Sequence, residues 1–96
     1  MFVIEISQYA ENDIIEAYNW YQDITDGLGK EFLDKVDQCL SAISGNPEHF
    51  QLIEFHIRRS IFQKFPYAVF FEIWNNKVYV LGVIHTSRTP GIYRNR

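Results

Sequence analysis

Apolar residues recur every three or four positions in the first half of this chain and every second position in the later part, so helices are expected first and strands afterwards. The opening FVIEI (Phe2 to Ile6) has the composition of a short strand. Ser7 then offers a helix N-cap, and Glu11 and Asp13 lie early in that helix, where the macrodipole favours acids. Ile14, Ala17, Tyr21, Ile24 and Leu28 form one apolar stripe, widened by Tyr18 and Trp20, and the glycines of TDGLG end the helix near Asp23 or Ile24. A second helix is predicted from about Leu28 to Ser44, with Phe32, Val36, Cys39 and Ile43 on one side and Leu33 and Leu40 beside them. Gly45-Asn46-Pro47 stops it.

After a loop the period changes to two. IRRSIFQKF places Ile57, Ile61 and Phe65 on one strand face, with Arg58, Ser60 and Lys64 on the other. YAVFFEIW and VYVLGVIH follow as two more strands joined by Asn75-Asn76, residues that tolerate the positive φ of a tight hairpin. Pro66 breaks the ladder between the first and second of these strands. The expected fold is α+β in a single domain, 1–96: an N-terminal strand, then an antiparallel helix hairpin packed on one face of a mainly antiparallel sheet, in the order β-α-α-β-β-β.

The last two strands are apolar on both faces. Tyr67, Val69, Phe71 and Ile73 oppose Ala68, Phe70 and Trp74; Val78, Val80 and Ile84 oppose Tyr79, Leu81 and Val83. Such strands are normally covered on both sides, and two helices cover one, so a partner is expected on the second face unless the C-terminal tail folds back over it.

Composition adds limits. At 96 residues with 47% hydrophobic content the chain can bury one modest core. The lone Cys39 excludes an internal disulfide and reads as a small core residue of its helix stripe. No apolar run approaches the ~18 residues of a membrane helix, and the start does not read as a signal peptide, so a cytoplasmic protein with no membrane partner is expected. His49, His56 and His85 lack metal-ligand spacing, and no phosphate-cradling glycine loop is present, so neither metal nor cofactor is expected. The net charge of −3 conceals an asymmetry: eleven of the twelve acids lie in residues 1–54, whereas residues 55–96 hold seven of the nine lysines and arginines. HTSRTPGIYRNR, residues 85–96, contains three arginines and no acid. Arg59 and Lys64 on the strands, with His85, Arg88, Tyr93 and Arg94 near the end, make a set suited to phosphate or another anion. As chemistry, His85 or Tyr93 could take a proton from a 2′-hydroxyl while Arg88 stabilises phosphorane charge; as structure, His85 could simply bond to the backbone and Arg59 pair with an acid of the helices.

The ordered set AENDIIEAYNWY, GLGKEF, NP, RR…FPYAVFFEI and VIHTSRTPGIYRNR resembles the RelE/ParE superfamily of toxins from bacterial type II toxin–antitoxin modules, across nearly the whole chain. The resemblance implies a small toxin, of the kind also called plasmid stabilisation proteins, neutralised by a cognate antitoxin that wraps it; Phe70, Trp74 and Tyr79 are the antitoxin-facing candidates. RelE-like members cut mRNA on the ribosome, and ParE-like members poison DNA gyrase without being nucleases. Carried over by position, Arg59, Lys64, Arg88 and Arg94 would contact phosphate or target, and His85 and Tyr93 would transfer protons if the chain is a nuclease. The acidic balance, the single Lys64 where RelE-like nucleases carry closely spaced lysines, and the closing H-x-x-R-x-P run point towards the ParE branch. A ribosome-dependent endoribonuclease, and an inactive member acting only as a binding module, are the alternatives.

Overall fold

In a computed structural model that describes residues 1–88 and 91–96, the chain runs β1 (Val3–Ile6), α1 (Gln8–Ile24), α2 (Leu28–Gly45), a 3-10 turn (Pro47–His49), β2 (Gln51–Glu54), β3 (Ile57–Ile61), β4 (Tyr67–Trp74), β5 (Lys77–His85) and a 3-10 helix (Ile92–Asn95). The Ser7 hydroxyl caps α1 by accepting from the Ala10 amide. Between the helices, Gly27 adopts φ +90°, and Gln22 Oε1 accepts from the amides of Gly27 and Gly29. Gly29 is held to hydrogen by the Tyr18 ring, which would stand 2.8 Å from any Cβ.

The strands form one 5-stranded sheet in the order β1-β5-β4-β3-β2, antiparallel except that β1 runs parallel to β5. The α+β architecture is as the sequence predicts, with one strand more: β2 lies where a loop was expected. The helix hairpin covers one face through Ala10, Ala17, Phe32, Val36 and Ile43 against Val69, Phe71, Val78, Val80 and Val83. At its centre the Phe32 ring packs on Tyr21, Phe62, Phe65 and Tyr67 at centroid separations of 5.0–5.6 Å. Ile24, expected on the apolar stripe, is exposed at the end of α1.

Two expectations about faces are corrected. Strict alternation put Ile84 with Val78 and Val80, and Val83 with Leu81. The register runs Phe70 to Gly82 and then Phe71 to Val80, so Leu81 is an extra residue in a β-bulge. Beyond it the faces exchange: Val83 joins the helix-side core, and Ile84 turns to the second face with Ile57 and Leu81. The other correction concerns Phe65, expected beside Ile57 and Ile61. The β3 strand ends at Ile61, Lys64 takes φ +74° in the turn, and Phe62 and Phe65 both swing into the helix-side core.

Candidate functional site

The C-terminal tail folds back onto the second face of the sheet, and the reason lies in the lengths of β1 and β5. β1 stops at Ile6, paired with Val80, while β5 continues to His85, so among the described residues no strand lies beside the outer backbone of β5 beyond Val80. Buried backbone groups need partners, and side chains supply them here. The Leu81 carbonyl accepts from the Ser7 hydroxyl (3.3 Å) and from Arg96 Nη1 (3.5 Å), and the Val83 amide donates to Asp13 Oδ2 (3.0 Å). Arg96 closes the arrangement with Nη1 on Asp13 Oδ2 at 2.5 Å and Nη2 on Oδ1 at 3.3 Å, both side chains being less than a fifth exposed. A Cβ on Gly82 would stand 2.5 Å from Arg96 Nη1, so this bulge residue must be glycine for the guanidinium to lie flat on the strand.

A second clasp holds the same tail. Arg94 donates through Nε and Nη2 to the two oxygens of Glu54 at 2.6 and 2.8 Å, and the Tyr93 hydroxyl donates to Glu54 Oε1 at 3.0 Å. The Tyr93 ring stacks on Phe70 with centroids 4.8 Å apart, forming with Ile57 and Ile84 a small core of its own. Gly91, at φ +81°, makes the turn into this segment. The Arg94 hydrogen bond holds the Glu54 carboxyl below the ordinary value, against some opposing burial; burial first, and the Glu54 contact second, hold the Tyr93 phenol above 10.0.

The expectation of unspent basic and apolar surface is therefore corrected in part. Phe70 is half-buried under the chain's own Tyr93 and is not free. Lys64 pairs with Glu31 of α2 at 2.6 Å, Arg94 with Glu54, and Arg96 with Asp13. Arg58 donates to the carbonyls of Glu48 and Phe50 at 3.1 and 2.8 Å, holding the 3-10 turn against β3. Arg59 donates to Gln51 rather than to an acid of the helices. Trp74 and Tyr79 remain accessible, and Arg88 stands exposed just past β5.

Arg59, Phe70, Ile84, His85, Arg88 and Tyr93 do share one groove, of about 250 Å³. His85 and Arg88 stand on its rim, because they also line a second groove of about 380 Å³ on the helix side, shared with Glu16, Trp20, Asp23 and Tyr67. The bulge sets this placement: it turns His85 to the helix side, edge-on to the Tyr67 ring at 5.1 Å. His85 Nδ1 lies 3.0 Å from the Ser87 amide, which donates to it, and 2.7 Å from the Ser87 hydroxyl. The Tyr93 phenol is already committed as a donor to Glu54. Arg59 and Arg88 offer positive charge on one side of the rim, while Glu16 and Asp23 offer negative charge on the other. Such a rim suits recognition of a mixed-charge protein surface better than proton abstraction. Pro90, which completes the H-x-x-R-x-P run, lies outside the described residues.

Sequence reasoning missed Asp13 and Glu54, the two carboxylates that set the tail. Asp13 reads in the sequence as an early-helix acid favoured by the macrodipole and Glu54 carries no local signal, since the partners lie 83 and 40 residues away. Trp20 was assigned to the apolar stripe and is instead 65% exposed on the helix-side groove.

The family profile described as ParE toxin of type II toxin–antitoxin system, parDE, matches residues 4–90. Among solved structures, a chain of the chromosomal ParDE TA system from P. aeruginosa superposes with a TM-score of 0.75 at 12% identity, covering 88% of this chain and 96% of that one. A search of curated protein sequences gives no significant match. The likeness in structure carries the fold, and the profile spans almost the whole sequence: this chain belongs to the ParE toxin family, within the RelE/ParE superfamily.

Proposed function

We propose that the chain is the toxin of a type II toxin–antitoxin module, that it arrests growth when free of its antitoxin, and that it acts in the cytoplasm by protein contact with DNA gyrase. Family membership supports the first part. One observation favours contact over cleavage: the Tyr93 hydroxyl, one of the two candidate proton-transfer groups, is committed as a donor to Glu54 in the resting fold. A phenol raised above its ordinary value by burial is also a poor base near neutral pH. The charge balance agrees, since a net −3 chain whose Lys64, Arg94 and Arg96 are internally neutralised has little to hold an RNA backbone. The exposed Arg88 and the accessible Arg59 are the proposed target contacts.

A second reading, the ribosome-dependent endoribonuclease, is supported by the convergence of Arg59, His85, Arg88 and Tyr93 on one groove. Induced expression without antitoxin separates the readings. Growth arrest with induction of the DNA-damage response and intact mRNA is expected. Codon-positioned cuts that disappear in His85→Ala would replace this proposal with the nuclease, and unaffected growth would leave only a binding module.

A further inference from the structure

The part of the second face that the tail leaves open has an ordered arrangement. By register, Glu5 of β1, Tyr79 of β5 and Glu72 of β4 stand abreast, and Ile57 of β3 completes the row. The adjacent row on the same face is Val3, Lys77 and Trp74. Of these residues Glu5, Tyr79, Glu72 and Trp74 line a groove of about 620 Å³, together with Leu81 and Arg96 at the tail end. With strands about 4.8 Å apart, the two carboxylates flank the Tyr79 ring at a separation of roughly 10 Å.

Folding does not account for this grouping. Glu72 is 21% exposed at its side chain and faces His56 at 3.0 Å, a partner that carries charge only when protonated. Among the described residues, neither Glu5 nor Glu72 is paired with a lysine or arginine. The Trp74 indole beside them is about half exposed, as is Val3. An aromatic ring between two carboxylates that no lysine or arginine pairs with, in a groove whose lining Arg96 is already taken by Asp13, matches a cation that brings apolar flanks: the ring face attracts it, and the carboxylates take its N–H donors.

We infer that the row Glu5–Tyr79–Glu72 receives a lysine or arginine of the antitoxin, carried on a segment whose neighbouring apolar side chains cover Trp74 and Leu81. The inference deepens the toxin–antitoxin reading above and rests on it. Charge decides among occupants. A second copy would set like carboxylates against each other, and a nucleic acid would be repelled. The strand order leaves β1 at the sheet edge, so an extended segment in the groove can also pair with the outer backbone of that strand. The cationic rim at Arg59 and Arg88 belongs to a different groove, so a bound antitoxin and the target contacts use separate chemistry.

The test uses the full chain and the purified antitoxin encoded in the neighbouring reading frame, with Kd measured by calorimetry. The Glu5→Gln/Glu72→Gln variant is expected to bind at least about 10-fold more weakly, since desolvated charge pairs at interfaces carry that much or more. Glu5→Gln alone, on an exposed edge residue, should show part of the loss without any question of folding. Glu11→Gln, an exposed acid on α1 outside the groove, should bind within about twofold of the parent. Changing the antitoxin's contacting lysine or arginine to glutamate should restore affinity only towards Glu72→Lys. A double variant that binds as tightly as the parent, or one that changes only self-association in sedimentation, would overturn the inference and leave the toxin reading standing. An antitoxin that fails to bind the unaltered chain would overturn both.

Discussion

Replacing Asp13 by alanine should be among the most damaging single changes on the surface of this protein. The substitution removes two things at once. The Val83 amide loses its acceptor beyond the end of β1, and the Arg96 guanidinium, 13% exposed, loses its counter-charge. Leaving a buried donor unpaired costs about 1–3 kcal/mol. Breaking one side of a buried ion pair costs about 3–5 kcal/mol. Asp13 and Arg96 are partly and not fully buried, which brings the sum down to about 2–4 kcal/mol. For a domain of this length each kcal/mol moves the melting temperature by about 4–8 °C, so a fall of roughly 10–25 °C is expected. Asp13→Asn keeps an oxygen for Val83 and loses only the charge, so it should cost about half as much. Urea unfolding of the parent, Asp13→Ala, Arg96→Ala and the double variant gives the cycle, with an expected coupling of about 1–2 kcal/mol. An Asp13→Ala protein within about 0.5 kcal/mol of the parent, or a coupling near zero, would refute the reasoning.

Three further outcomes follow from the tail and the rim. Tyr93→Phe keeps the stack on Phe70 and loses one hydrogen bond to Glu54, so stability should fall by only about 1 kcal/mol in thermal melts and growth arrest should persist in plating assays. The Glu54 carboxyl is held below its ordinary 4.5 by Arg94, so its contribution is present above that value and disappears as pH falls through the folded one. Tyr93 ring signals in NMR should therefore shift towards those of a detached tail as the pH falls below 4.5, and Glu54→Gln should show the detached tail at neutral pH. Arg88→Glu, at an exposed position, should leave the melting temperature within about 1–2 °C of the parent and abolish growth arrest on induction.

The helix hairpin was legible in the sequence because its signals are local. The spacing of Phe32, Val36 and Ile43, the Ser7 cap and the Gly27 turn lie within the elements they define. β2 was not legible: Gln51–Glu54 is four residues long with Leu52 exposed, so it carries no alternation, and only its pairing with β3 makes it a strand. The bulge at Leu81 escaped for a related reason. It exists in the register between β4 and β5, and VYVLGVIH reads as an unbroken strand without its partner. That single residue decides which face His85 occupies, so the candidate site could be gathered by topology but not oriented. The tail was half legible: its arginines stood out by composition, whereas the carboxylates that hold Arg94 and Arg96 come from β2 and α1 and leave no mark nearby.

The central claim is that this family member acts by contact and not by cleavage. The most direct measurement is a titration of the purified chain into DNA gyrase supercoiling relaxed plasmid, with the Tyr93→Phe and Arg88→Glu variants alongside. Supercoiling should fall with the parent and with Tyr93→Phe, recover on adding antitoxin, and be untouched by Arg88→Glu. Undiminished supercoiling at every concentration, together with ribosome-dependent mRNA cleavage that Tyr93→Phe abolishes, would contradict it.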